Sequence, residues 1–352
     1  MSTEIGWLPD LVYTGGKFEP GLAIFADGLG RIVRFSREPA DLEAARRLEG
    51  QAALPGLVNG HSEALHRVLR GRAERRARPG GASSWDEALA QALPRMNGED
   101  AYDAARMIFM EMALSGVTCA AEAHAFTRPD EVMRAAQEVG VRLALSPVAP
   151  PGGEIGPFLA RMEALRQTIE EWRPSGEIWL GLAIRDLAAL SRDGLKTLAN
   201  YAHVQRCRLH VTVSEGRAAH DACVAAHGRS PAALLSELGV LGKRAAAIHA
   251  GAASEEDLRL LGAAKSTVCV CPLSERSLGL DTAPVARLVE AGASVCLGTG
   301  SQPQTDLFGD ARTLPRPAFG PDAAAGLLHA MTYVGARSLG GPGGALEVGR
   351  PA

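Results

Sequence analysis

Side chains that move protons, grip anions or bind metals recur in this sequence at the ends of apolar runs. His61 and Glu63 come at the close of LPGLVNGH, Glu122 and His124 end VTCAAEAH, and Arg185 follows EIWLGLAI. His210, Thr212 and Glu215 come with CRLHVTV, His249 with AAAIHA, Glu275 just after STVCVCP, and Thr299-Gly300-Ser301 with ASVCLGTG. Glutamate and histidine together exchange protons near neutral pH. Arginine clamps a carboxylate with two parallel hydrogen bonds. A histidine and a carboxylate at i, i+2 of a strand end share one side and can serve as metal donors. Isolated buried charge is costly, so so many ionisable groups converging on one place mark a functional pocket.

The elements that carry them alternate. Eight apolar runs, at 54–61, 117–124, 141–148, 177–184, 207–213, 245–250, 266–272 and 293–300, are separated by helical patterns near 97–116, 129–139, 157–172, 191–205, 230–239, 254–263, 284–291 and 322–335. The first of these helices starts at the N-cap Asn97, carries Ala105, Ile108, Phe109 and Met112 on one face, and stops at Gly116. Strands that are apolar throughout and alternate with helices predict a parallel sheet closed as an α/β (β/α)8 TIM-type barrel over 54–340, with an open doubly wound sheet as the structural alternative. Chemistry in such a barrel sits at the C-terminal strand ends. Residues 1–53 hold short β-type runs between glycine and aspartate turns, predicting a small antiparallel sheet.

Composition narrows the partners. The chain has 352 residues, 37 basic against 40 acidic, and 46% hydrophobic residues. No apolar run is long enough to span a membrane, and no basic stripe suggests nucleic acid. No glycine-rich phosphate loop is present. Six cysteines without a CxxC pair, and no secretory leader at the N-terminus, predict a cytoplasmic protein. Cys269 and Cys271 share a strand face and read as barrel filling. The basic stretch 64–85 reads as a lid carrying Arg78 and Trp85 over an anionic substrate.

The stretch LPGLVNGHSEALHRVLRG resembles the opening of the amidohydrolase superfamily barrel, closest to the formimidoylglutamate deiminase branch. The likeness continues through EMALSGVTCAAEAHAF, LHVTVSEG, AAIHAG, CPLSERSLG and CLGTGS, in order and on the expected strands. The resemblance implies hydrolysis of a C–N bond on one zinc ion, held by two histidines of the first strand, one of the fifth and an aspartate of the eighth. His61 matches the first ligand, but Glu63, Thr212 and Gly300 stand at the other three positions. Glu215 and His249 match the groups that handle protons. Arg185 sits where relatives hold a substrate carboxylate, with Arg78 as a second such group. His66 replaces a glutamine, and Glu275 stands where related deaminases often have asparagine and is read as ordering its loop. Relatives of this kind are commonly dimers, so a homodimer is implied.

Thr212 offers zinc only a neutral hydroxyl and Gly300 no side chain. The expectation is therefore an enzyme derived from a deiminase or C–N hydrolase with no resident metal. Glu215 and His249 would be its acid/base pair, with Arg185, Arg78, His66, Trp85 and His124 around a small carboxylate-bearing nitrogen compound. Two alternatives stay open: a non-catalytic binding barrel, and a metal-dependent hydrolase with zinc on His61, Glu63 and His249. The resemblance also makes residues 1–53 one half of a small β-sandwich, and the end of the chain, GGALEVGRPA, looks like the start of its returning half over 341–352, either shed by the protein or cut short.

Overall fold

Eight consecutive parallel strands follow from the eight apolar runs, and their order in space is their order in the chain. The computed structural model describes residues 4–71, 84–124, 127–152, 154–172, 177–301 and 304–352. An N-terminal sheet contains β1 (Ile5–Tyr13), β2 (Phe18–Glu19), β3 (Ala23–Ala26), β4 (Ile32–Ser36) and β5 (Arg46–Ala53). The barrel strands are β6 (Leu57–Ser62), β7 (Val117–His124), β8 (Arg142–Pro147), β9 (Ile178–Ile184), β10 (Arg208–Val213), β11 (Ala245–His249), β12 (Thr267–Val270) and β13 (Ser294–Leu297). They form one sheet ordered β6 to β13. The last gap is bridged where Ser62 pairs with Gly300, and the backbone N–H groups of Thr299 and Gly300 both donate to the His61 carbonyl at 3.0 Å. Asn59 Nδ2 adds a 2.7 Å bond to Thr299 Oγ1.

These strands are buried on both faces, as parallel strands beneath helices must be. Outward residues such as Leu143, Leu182, Val211 and Val268 join the layer of helices, while Ala246, Ile248, Cys269, Cys271 and Cys296 fill the barrel with Val334. Space there is tight. A Cβ on Gly60 would lie 2.9 Å from Cys269 Sγ and 3.0 Å from Cys296 Sγ, so only glycine fits. The opposite end is plugged by Ala336 and Leu339 of helix Gly335–Leu339, packed on Val58, Cys119, Ala121 and Ala144.

The helix expected from Asn97 onward is Gly98–Leu114. Its Asn97 cap accepts the Asp100 N–H while Asp100 returns a bond to the Asn97 N–H, and Ile108, Phe109 and Met112 are fully buried. One expectation needs correction. β1 pairs antiparallel with β2 and β3, but β5 runs parallel to β1, with Trp7 opposite Arg46, because helix Pro39–Ala44 carries the chain back before β5 begins. Residues 349–352 lie along β4: Arg31 bridges Pro351, and Ile32 N–H donates to the Arg350 carbonyl at 2.8 Å. No helix among the described residues is long and apolar enough to cross a membrane.

Candidate active site

The end of β6 supplies His61 and, one residue past the strand, Glu63. Glu63 is tied down on both oxygens. Arg185 Nη1, just past β9, donates to Oε1 at 2.9 Å, and Ser301 Oγ, just past β13, donates to Oε2 at 3.1 Å. His66 Nδ1 also stands 3.1 Å from Oε2. Burial alone would raise the Glu63 carboxyl, but His66 and the Arg185 guanidinium outweigh it and hold it well below the usual range. Burial pushes the His61 imidazole down to about 3, keeping it neutral, and its Nδ1 is buried with no partner among the described residues.

Glu122 lies next to this group but is bound differently. Its Oε1 accepts the Ala64 N–H at 2.6 Å, and its Oε2 is 2.7 Å from Ser62 Oγ, which is also 2.9 Å from the Ala121 carbonyl. Burial, aided by the charge of Glu63, raises the Glu122 carboxyl well above its ordinary value. Ser62 Oγ is the donor in both contacts, so its one proton is shared between the Glu122 carboxyl and the Ala121 carbonyl. This is a tie between the first two barrel strands.

Strands β10 and β11 build the other side. Both end in left-handed backbone at residues other than glycine: Ser214 has φ 46°, His249 φ 77° and Ala250 φ 70°. Such conformations cost about 1–3 kcal/mol each and persist where the surroundings impose them. Here they are held by Ala250 N–H to the Val213 carbonyl and Ala252 N–H to the Ser214 carbonyl. The result brings His249 Nε2 to 3.6 Å from Glu215 Oε1. His249 Nδ1 lies 3.0 Å from Glu275 Oε1, on the first turn of helix Pro272–Leu278. Burial would lower the His249 imidazole, but the Glu275 hydrogen bond and the charges of Glu215, Glu275 and Glu63 raise it overall. Deeper on β10, burial takes His210 down to about 4.

A cavity of about 20 Å³ lies among His61, Glu63, Arg185, His210, Thr212, Glu215 and His249, room for roughly one water. A second cavity, of about 340 Å³, shares Arg185, Thr212 and Glu215 and runs past Leu187 and Ala219 to Pro231. A roomier groove of about 820 Å³, along Met107 and Met110, lies away from these residues. The expected residues His61, Glu63, Arg185, His249 and Glu215 therefore meet at one cavity. His66 reaches it through Glu63, and Trp85 is buried with its ring 6.2 Å from that of His66. His124 is the last residue of β7, opposite Pro147. Arg78 lies outside the described residues. Two contacts were not anticipated: Glu275, read as a loop residue, also reaches His249, and Ser301 holds Glu63. Their positions at strand ends were the available signal.

Of the strong donors at this cavity, Glu63 and His249 are engaged with other side chains. Among the described residues, no three His, Cys, Asp or Glu side chains gather closely enough to hold an ion. Glu63 is bound on both oxygens and His249 lies between two carboxylates, while Thr212 and Gly300 offer no strong donor.

The family model described as "Amidohydrolase family" matches residues 52–352. A 5-methylthioadenosine/S-adenosylhomocysteine deaminase of Syntrophobacter fumaroxidans is 30% identical over 96% of this chain and 79% of its own length. A formimidoylglutamate deiminase of Pseudomonas aeruginosa is 26% identical over 94% of this chain and 83% of its own. Among solved structures, an amidohydrolase from Brucella melitensis superposes with a TM-score of 0.87 at 23% identity, covering 99% of this chain and 85% of that one. An adenosine deaminase from Xanthomonas campestris, solved with bound zinc, gives 0.84 at 24% identity, covering 99% and 83%.

Proposed function

The chain belongs to the amidohydrolase family, and from that premise we propose that it is a C–N bond hydrolase of the deaminase or deiminase kind, working by proton transfer between Glu215 and His249 without a resident metal. Its substrate in this reading is a small nitrogen compound bearing a carboxylate. One observation carries it: neighbouring strands, each ended by left-handed backbone, aim Glu215 and His249 at the same water-sized cavity, 3.6 Å apart.

Hydrolysis of a C–N bond needs water to lose a proton as it attacks and the departing nitrogen to gain one. Water not bound to a metal has a pKa of about 15.7, so the proton must leave as the new bond forms, to a base in place beforehand. One member of the pair takes that proton and the other delivers one to nitrogen. The 3.6 Å separation is loose for a hydrogen bond and suits a pair that tightens around a bound substrate. Arg185 faces both cavities, its side chain 40% exposed, and is the carboxylate-recognising group. His66 and Trp85 stand behind Glu63 in this reading, and the larger cavity takes the body of the substrate. A homodimer belongs to the same reading on the strength of the resemblance. The six free, buried cysteines support a cytoplasmic setting.

The test combines elemental analysis with ammonia release from two probes, N-formimidoyl-L-glutamate and 5′-deoxyadenosine. The expected result is ammonia from the carboxylate-bearing probe by protein without stoichiometric zinc. Stoichiometric zinc that disappears in His61→Ala would overturn the metal-free part. Turnover of the nucleoside alone would overturn the carboxylate.

A further inference from the structure

We propose that Glu275 is the positioning residue for His249, fixing its ring with Nδ1 as the donor and Nε2 as the proton-accepting atom that faces Glu215 and the cavity. The inference rests on the reading of Glu215 and His249 as a proton-transfer pair and names what orients it.

Glu275 is fully buried. Its Oε1 accepts the Cys271 N–H at 3.0 Å and its Oε2 the Ala283 N–H at 3.5 Å, so backbone donors from both sides of helix Pro272–Leu278 hold the carboxylate still. The helix itself is fixed at its ends, with Pro272 opening it directly after β12 and Gly279 closing it at φ 72°. Ordering this loop would require only the two backbone contacts, neither of which involves His249. The third contact is what a loop role leaves unexplained: His249 Nδ1 at 3.0 Å, on the next strand, in a residue whose own backbone is left-handed.

A deprotonated carboxylate only accepts hydrogen bonds, so the proton between these two residues sits on Nδ1. The neutral ring then has its lone pair on Nε2, which lies 3.6 Å from Glu215 Oε1. When Nε2 takes a proton, the imidazolium lies between two carboxylates, and Glu275 stabilises it without moving. The chain Glu275–His249–Glu215 thus leads from a rigid helix turn to the cavity. It supplies with a fixed negative charge what this site does not draw from a metal: a base of set orientation.

The test is nitrogen NMR of the full-length protein carrying ¹⁵N-labelled histidine, at alkaline pH where the ring is neutral. His249 is assigned by its loss in His249→Gln. The expected wild-type spectrum shows Nδ1 protonated and Nε2 bare, with the Nδ1 proton far downfield. Glu275→Gln keeps an oxygen acceptor for Nδ1, so it should preserve the tautomer while moving that proton upfield. It should also lower kcat on the order of 10²-fold at unchanged KM. Glu275→Leu should shift the ring toward the Nε2-protonated form. A wild-type ring protonated on Nε2 overturns the proposal, even where a variant fails to fold, and so do His249 shifts that neither substitution moves. The spectra need no substrate. Absence of turnover in every protein would therefore strike the proposed reaction and leave the Glu275 result standing.

Discussion

Two glutamates reach the same small cavity, and the protein treats them in opposite ways. Glu63 is bound by Arg185 and Ser301 with His66 beside it, and is held ionised. Glu215 has an imidazole 3.6 Å away, and that imidazole has a second carboxylate behind it. A guanidinium stays charged throughout the useful pH range, so its partner has no proton to exchange. An imidazole changes charge near neutrality, so its partner stands next to a movable proton. The same residue type thus serves as architecture on one side of the mouth and as chemistry on the other. The cation beside it makes the difference.

The largest effect should come from exchanging the two carboxylates for amides. Glu215→Gln is expected to cost roughly 10²–10⁴-fold in kcat, while Glu63→Gln should act chiefly on stability. Equal losses of turnover in the two variants, measured on the same probe substrate, would break the comparison.

Acid provides the next test, because neighbouring strands carry histidines shifted in opposite directions. His210, held down to about 4, stays neutral in the folded protein while the unfolded chain takes up a proton below about 6.5. Stability should therefore fall as pH drops from about 6.5 toward 4, by up to about 1.4 kcal/mol per pH unit. His249 is raised, so its contribution is complete below about 6.5 and fades as pH climbs through its folded value. Urea midpoints across pH should show a flatter acid limb in His210→Gln and not in His249→Gln. An unchanged acid limb would remove the buried neutral histidine from the account.

The smallest expected effect on stability is that of Arg185→Met. It leaves Glu63 buried without its guanidinium, yet Arg185 is 40% exposed, so the loss should stay near 1–3 kcal/mol by chemical denaturation. A neutral result would mean that Ser301 and His66 suffice to hold Glu63.

Much of this was legible in the chain because it is local. Eight apolar runs, the Asn97 cap and the polar residues at the run ends all follow from spacing along a few residues, and each is where that spacing puts it. Pairings across the barrel were not. Arg185 meets Glu63 across 122 residues, and Glu275 meets His249 across 26. The order of strands decides both, and no periodicity encodes it. Glu122 reads as one more ionisable group at the mouth; only the structure shows it buried and tied to Ser62 and to the Ala64 N–H. The parallel pairing of β5 with β1 escaped for a similar reason. Alternation shows that a segment is a strand, while its direction depends on the short helix that precedes it.

The bonds between β4 and the last residues bear on the order of folding. Arg31 reaches the Gly349 carbonyl across 318 residues of chain. Closing so long a loop in an unfolded chain carries an entropic cost on the order of 5 kcal/mol or more by the logarithmic rule, which a few edge hydrogen bonds do not offset. Barrel strands consecutive in the chain face a far shorter closure and bury large apolar surfaces as they meet. The expected order is therefore that the barrel assembles first and brings the two regions together. The far edge of the N-terminal sheet is then completed last, joining strands that lie next to each other only because the rest of the chain has already folded.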